Sequence, residues 1–299
     1  ILERREYYKS QRKQHPRFDR RQKVLKWLLV TCFGYTGYRN ARFGRIEAHE
    51  VISAYGRHAL TLAQHLAADC GFKTIAGIVD SIWLKKAGNT PDCAIVQKLC
   101  QWIEEKTKLP VEHAADYHWI VFLPRRREPE IGVLNRYYGL KTDGTFKVRG
   151  IEIRQSSSPV FIKKLQQDLL NVLAKVRTKQ QFGIQVLHAQ QIVKNYVELL
   201  KTGKVPLDEL LVTIRLSRSP REYKNNSRSA IAAKQLASLG VDVEPGMRLC
   251  YLITDAHAKE PKERVKVKQF LTREECYDVN EYQKLCRKAY ETLIPPEFK

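Results

Sequence analysis

The stretch from Asp19 to Gly44, DRRQKVLKWLLVTCFGYTGYRNARFG, constrains the rest of the chain more than any other. It reads as a basic amphipathic helix that runs into a Gly/Tyr turn. At helical spacing Lys23, Lys26 and Val30 share one face, while Leu25, Leu28, Leu29 and Cys32 face other ways. A row of cations on a helix approaching Gly34 and Gly37 suits a polyphosphate. The charges hold the anion, and the glycines let another backbone or a base come close. A solvated charged face would carry the same pattern, so the stretch alone fits both readings.

Charge distribution narrows the choice. The chain has 53 Lys+Arg against 32 Asp+Glu, a formal net charge of +21. Residues 1–45 hold 13 Lys/Arg and 3 Asp/Glu, so this segment alone contributes +10. Such concentration points to a polyanionic partner. A membrane surface is not the expected polyanion, because no run approaches 18 apolar residues and no signal peptide is visible. The cysteines at 32, 70, 93, 100, 250, 276 and 286 are scattered and form no CxxC. That argues for reduced thiols in a cytoplasm-like compartment and against structural zinc. With 299 residues and 43% apolar content, the chain can build two domains or one extended multi-part assembly. It begins at Ile1 within an expected helix and its only methionine is Met247, so a longer natural chain is expected.

In order, residues 1–13 read as a helix with Arg5, Lys9 and either Arg12 or Lys13 on one face. Pro16 breaks it, and Asp19 is the expected N-cap of the next, giving a helical hairpin. Glu47–Asp69 repeats Val51, Tyr55, His58/Ala59, Leu62 and Leu66 as a core-facing row. Lys73–Leu84 (KTIAGIVDSIWL) is strand, turn and strand with Asp80 at the tip. A carboxylate there is either a turn residue or a metal ligand held on a rigid sheet. A helix follows over Asn89–Lys106, with Thr90 as cap and Pro91 at its first position. Strands are expected at Val111–Leu123, Ile131–Tyr138 and Phe146–Arg154, with a Thr142-Asp143-Gly144 turn. The basic insertion Arg125–Arg127 reads as a solvated loop, with contact to a polyanion backbone as the alternative. Beyond Ser156–Pro159 come helices near Val160–Thr178, Ile184–Leu200 and Ser229–Leu239, strands near Leu211–Leu216 and Arg248–Thr254, and a last helix at Val279–Leu293. His113, Asp116 and His118 have no good metal spacing. Cys93 and Cys100 are explained as small apolar residues.

This order and its motifs resemble the C-terminal portion of a family B DNA polymerase of the archaeal replicative type. Lys26-Trp-Leu-Leu-Val-Thr-Cys-Phe-Gly34 is similar to the fingers motif K-x-x-x-N-S-x-Y-G. Ile78-Val79-Asp80-Ser81 falls where the family has D-T-D-S. Asn135-Arg136-Tyr137 resembles the K-x-Y element at the primer end, and Arg149-Gly150-Ile151-Glu152 follows at family spacing. Ser217 to Lys224 (SRSPREYK) and Glu244-Pro245-Gly246-Met247 look like T-R-P-x-x-E-Y-K and x-P-G. The resemblance implies an α+β hand: fingers over 1–44 with a helical hairpin, the C-terminal half of an antiparallel-sheet palm over 45–155 with packed helices, and a mainly helical thumb over 156–299.

The resemblance also implies DNA-directed DNA synthesis, with primer–template DNA and an incoming dNTP as partners. Two Mg²⁺ ions would be shared with an upstream half that carries the other metal-binding aspartate. Asp80 takes the catalytic, metal-bridging position. Arg5, Lys9, Lys26, Val30 and Phe33 take nucleotide positions, and Gly37, Tyr38, Arg136, Tyr137, Arg218, Arg221 and Lys224 take DNA positions. A cytoplasmic, nucleoid-associated place follows. Four positions depart from the family pattern: Val30 for asparagine, Phe33 for tyrosine, Ile78 for the first hairpin aspartate, and Asn135 for lysine. They keep open an alternative, an inactivated relative that binds DNA without synthesis. Between strand neighbours Tyr137 and Tyr138, alternation is expected to turn one ring toward the primer and one into the core.

Overall fold

Pro16 opens the second helix instead of breaking the first. Its missing N–H is no loss in a first helical turn, and its ring presets a helical φ. The computed structural model, which describes residues 1–86, 88, 93–125, 127–272 and 274–294 (Lys179 in its backbone only), places His15 as the N-cap. The His15 imidazole accepts from Arg17 N at 3.0 Å. Asp19, the expected cap, lies inside the helix and accepts from Lys23 Nζ and Gln22 Nε2, which hold its carboxyl below the usual range. Helix α1 (Leu2–Ser10) is shorter than expected. Helix α2 (Pro16–Thr36) runs through Gly34 and stops at Gly37. The two are pinned by Tyr8, whose ring stacks on Phe18 (5.7 Å) and lies under the Arg21 guanidinium (5.4 Å).

Internal packing groups Ile1–Ala114 into one compact unit and Ala115–Lys299 into a second. In the first, α3 (Ile46–Asp69), an antiparallel pair β1 (Phe72–Ile78) and β2 (Ser81–Lys86), and α4 (Cys93–Thr107) follow the helical hairpin. The expected start of α4 at Thr90 and Pro91 lies outside the described residues. A small core joins Ala63, Leu66 and Ala67 of α3 to Phe72, Leu99 and Ile103. The apolar row of α3 is therefore only half used, and Val51 and Tyr55, expected in the core, are exposed (Tyr55 72%). Periodicity identifies an apolar face; it does not supply the element that covers it.

The second unit opens with a three-stranded antiparallel sheet, β3 (Tyr117–Pro124), β4 (Gly132–Lys141) and β5 (Phe146–Arg149), in the order β3-β4-β5. The first strand starts later than expected. The third stops at Arg149, because Gly150 takes φ +68° and the chain turns into a 3-10 turn at Glu152–Arg154. Helices α5 (Val160–Leu173), α6 (Lys179–Lys201) and α7 (Leu207–Leu210) come next, then β6 (Val212–Arg215) and α8 (Arg228–Ser238). Strands β7 (Arg248–Ile253) and β8 (Val265–Val267) complete a second antiparallel sheet in the order β6-β7-β8, and α9 (Val279–Leu293) follows. Neither α7 nor β8 was foreseen: both are too short to show a period.

One core runs through this unit, with Leu165, Leu169, Leu173, Tyr282, Cys286 and Ala289 fully covered. Burial pushes the Cys286 thiol up to about 12. The core also encloses polar groups; the Tyr290 hydroxyl is buried without a partner, while Gln166 and Tyr138 are satisfied. Gln166 Nε2 donates to Glu152 Oε2 (2.9 Å) and to Ala289 O (3.2 Å), while its Oε1 accepts from Ile153 N (2.7 Å). The Tyr138 hydroxyl donates to the Leu293 carbonyl in the last turn of α9.

Candidate functional site

Pairing of Ile78 with Ser81 leaves a two-residue loop, Val79-Asp80, between β1 and β2. Val79 has φ +53° and Asp80 does not share the positive φ, so the first loop position takes a conformation that usually belongs to glycine. A β-branched side chain in the left-handed region costs about 1–2 kcal/mol, held here at the residue that aims Asp80. Asp80 is exposed, and the Ser81 hydroxyl donates to its Oδ1 at 3.2 Å.

A pair of divalent ions with oxygen ligands needs several converging carboxylates. Among the described residues no group of three His, Cys, Asp or Glu side chains is placed to hold a metal. Ile78, two positions before Asp80, offers no donor. Among the described residues Asp80 thus stands as a single exposed carboxylate and not as part of a carboxylate cluster.

On α1 and α2 the three expected cations differ in their surroundings. Glu6 engages Arg5 Nη1 at 2.9 Å and Lys9 Nζ at 3.8 Å. Arg5 Nε is buried without a partner. Lys26 is exposed, and no ion pair among the described residues involves it. Val30 and Phe33 are exposed on the same helix.

His49, which the sequence did not single out, stacks on Phe33 with ring centroids 4.3 Å apart and planes at 22°. Its Nδ1 lies 3.1 Å from the Thr36 hydroxyl, which donates to Phe33 O at 2.6 Å. Gly37 makes room for it: a Cβ there would sit 3.1 Å from His49 Nδ1. A contact across 16 residues between two helices leaves no local pattern to read. Tyr38 is exposed, its ring edge-on to Tyr35 at 5.9 Å.

In the second unit two motifs meet at Gly150. Arg136 Nε donates to Gly150 O at 3.3 Å, and a Cβ on Gly150 would fall 2.3 Å from Asn135 O and 2.9 Å from Arg136 Cγ. The expectation for the tyrosine pair needs correction. Tyr137 and Tyr138 retain 2% and 0% of their exposure, so both faces of the strand are covered. Tyr137 packs on Phe122 at 5.3 Å, leaving Arg136 and Asn135 as the more accessible part of the motif.

The segments Ser217–Lys224 and Glu244–Met247 are also joined. Gly246 N donates to Leu216 O (2.7 Å), Leu216 N to Met247 O (2.9 Å) and Arg215 Nε to Gly246 O (2.9 Å). A capping box holds the loop: Ser219 N donates to Glu222 Oε2 at 2.8 Å, a bond that holds the Glu222 carboxyl below its usual range. Arg218, Arg221 and Lys224 project from this braced loop into solvent. In the basic insertion, Arg125 pairs with Glu128 at 3.2 Å, and Arg126 lies outside the described residues.

Exposed cations thus stand both on a braced loop and on an exposed helix. Residues 1–293 match the profile of DNA polymerase family B, and the chain belongs to that family. It is 28% identical to a DNA polymerase of Archaeoglobus fulgidus over 235 residues, covering 79% of this chain and 28% of that protein. DNA polymerase 2 of Aeropyrum pernix is also 28% identical, over 265 residues, covering 85% of this chain and 30% of that protein. The chain thus spans less than a third of the length of these two curated relatives. A solved family B DNA polymerase from Pyrobaculum calidifontis shares the fold with a TM-score of 0.62 at 24% identity, covering 99% of this chain and 37% of that one. No helix among the described residues is long and apolar enough to cross a membrane.

Proposed function

We propose that the chain is the fingers (1–44), second palm half (45–155) and thumb (156–299) of a DNA-directed DNA polymerase acting in DNA replication. It would bind primer–template DNA and an incoming dNTP, with an upstream half supplying the other metal-binding aspartate. The observation that carries this reading is Asp80, fixed at the tip of a tight antiparallel hairpin in a chain of this family. Mg²⁺ ions would supply activation of the primer hydroxyl and charge neutralisation on the triphosphate. Asp80 would be the ligand that this hairpin offers them.

The remaining roles belong to the chain's own side chains. Lys26, free of carboxylates, neutralises triphosphate charge. Arg5 and Lys9 join it by exchanging Glu6 for the stronger anion. Phe33, backed by His49, lends its ring to the incoming base, with Val30 as an apolar neighbour and the Gly37-Tyr38 turn beside it. Arg218, Arg221 and Lys224 hold duplex phosphates, contacts that carry little sequence information and weaken with salt. Arg136 acts near the primer end, with Tyr137 as its buried support. DNA as ligand implies an intracellular, nucleoid-associated place.

Primer extension by the full-length protein, with Asp80→Ala as control, tests the reading. Incorporation that survives Asp80→Ala unchanged removes the mechanism. No incorporation by the wild type with DNA binding intact selects the non-synthesising relative, the alternative that the departures at Val30, Phe33, Ile78 and Asn135 keep open.

A further inference from the structure

Between Asp19 and Glu47 the chain carries seven lysines and arginines and no acidic residue. The last part of this span, residues 37–45, forms a loop that contains the most exposed large hydrophobic side chain among the described residues, Phe43 at 84%. The loop is stitched together: Ala41 N donates to Tyr38 O (3.0 Å), Gly44 N to Ala41 O (2.9 Å) and Arg45 N to Thr36 O (2.8 Å). Gly44 is fitted to it, since a Cβ there would lie 2.3 Å from Tyr38 O. The Arg42 guanidinium sits over the Phe43 ring at 5.5 Å. Arg39, Arg42 and Arg45 are all exposed, and no ion pair among the described residues involves them.

We propose that this loop is a stacking platform for an unpaired nucleobase on a single-stranded overhang of DNA. Single-strand sites combine an aromatic face for the base with cations that track the backbone, and here both stand on one braced loop. A guanidinium already lying on the ring continues the stack and adds cation–π attraction. The absence of acids from the whole span fits phosphates and does not fit a basic or neutral protein face. The inference rests on the DNA-binding reading above and adds to it a position for DNA outside the duplex.

The test measures affinity of the full-length protein for three DNAs by fluorescence anisotropy: a blunt duplex, the duplex with a short single-stranded overhang, and the same overhang made abasic. The wild type should prefer the base-bearing overhang over the abasic one by roughly tenfold, the effect of stacking one base. Phe43→Ala should abolish that preference while leaving blunt-duplex affinity within about twofold and the circular dichroism unchanged, because the ring packs on no core. Phe43→Leu, which keeps apolar area but not the ring, should lose it as well. Retention of the preference in either variant overturns the proposal, as does its absence from the wild type. Blunt-duplex binding with no overhang preference defeats this inference alone. No binding to any of the three DNAs defeats both it and the polymerase reading. Self-association that disappears in Phe43→Ala, with overhang preference intact, would assign the ring to a protein contact instead.

Discussion

Replacing Gly150 by alanine should damage the second unit in a way that can be separated into two parts. At φ +68° an alanine occupies the left-handed region, which costs about 1–2 kcal/mol for any residue with a Cβ. The same Cβ would stand 2.3 Å from Asn135 O and 2.9 Å from Arg136 Cγ, so the β4 backbone must give way. Over-packing of this kind costs about 1–3 kcal/mol, making a total of about 2–5 kcal/mol. Gly240 provides the control. Its φ is +78°, yet a Cβ there meets nothing within 4 Å, so Gly240→Ala bears only the conformational part. Urea unfolding can follow Trp119, the one tryptophan of the second unit, after Trp27, Trp83 and Trp102 are changed to phenylalanine. The midpoint should fall more for Gly150→Ala than for Gly240→Ala, with unchanged slopes. Because Arg136 moves with the strand, primer–template affinity should fall for Gly150→Ala alone. Equal losses in the two variants would refute the steric reasoning and leave only backbone conformation.

Other perturbations probe single features. Val79→Gly should stabilise the β1–β2 hairpin by about 1 kcal/mol by removing left-handed strain, seen as slower amide exchange at Ile78 and Ser81; slower exchange would be absent if Val79 were unstrained. Gln166→Leu leaves the Ile153 N–H and the buried Glu152 carboxylate short of partners and should cost about 2–5 kcal/mol in thermal unfolding. In the full-length protein His49→Ala frees the Phe33 ring and should raise the KM for dNTP severalfold without changing primer–template Kd. Lys284, with Arg228, holds the Glu281 carboxyl below its ordinary value of 4.5. Its stabilising contribution is complete above that value and is lost as pH falls through the lower folded pKa. Glu281→Gln should flatten this part of the acid-unfolding profile.

Long, locally determined elements could be read from the chain. The last helix, α9, has the expected bounds, and the carboxylate hairpin is where β-rich apolar runs on either side of Asp80 put it. Helix starts were harder, because proline marks a helix end and a helix start alike: Pro16, expected to break α1, begins α2, while α1 has already stopped at Ser10. Burial was least legible. Val51 and Tyr55 carry a core-facing pattern but lack a covering element, while Tyr137 carries a half-exposed pattern and is covered on both sides. The candidate site divides in the same way. Its cations, glycines and Asp80 stand in motifs, but the His49–Phe33 stack and the seat of Gly150 on Asn135 arise from chain segments that meet only after folding.

The hydrogen bond from Tyr138 to the Leu293 carbonyl joins a residue in the first sheet of its unit to the end of α9. Burying that hydroxyl without the helix would leave a polar group unsatisfied, so β4 has no finished environment until α9 exists. On the ribosome this makes the order of synthesis matter. The sheet emerges more than 150 residues before its last partner and must wait, exposed to proteases and chaperones, while the intervening helices are made. Stalled nascent chains lacking α9 should therefore be cleaved within β3–β5, and those extended past Leu293 should resist; equal resistance in both would show that the sheet closes on its own.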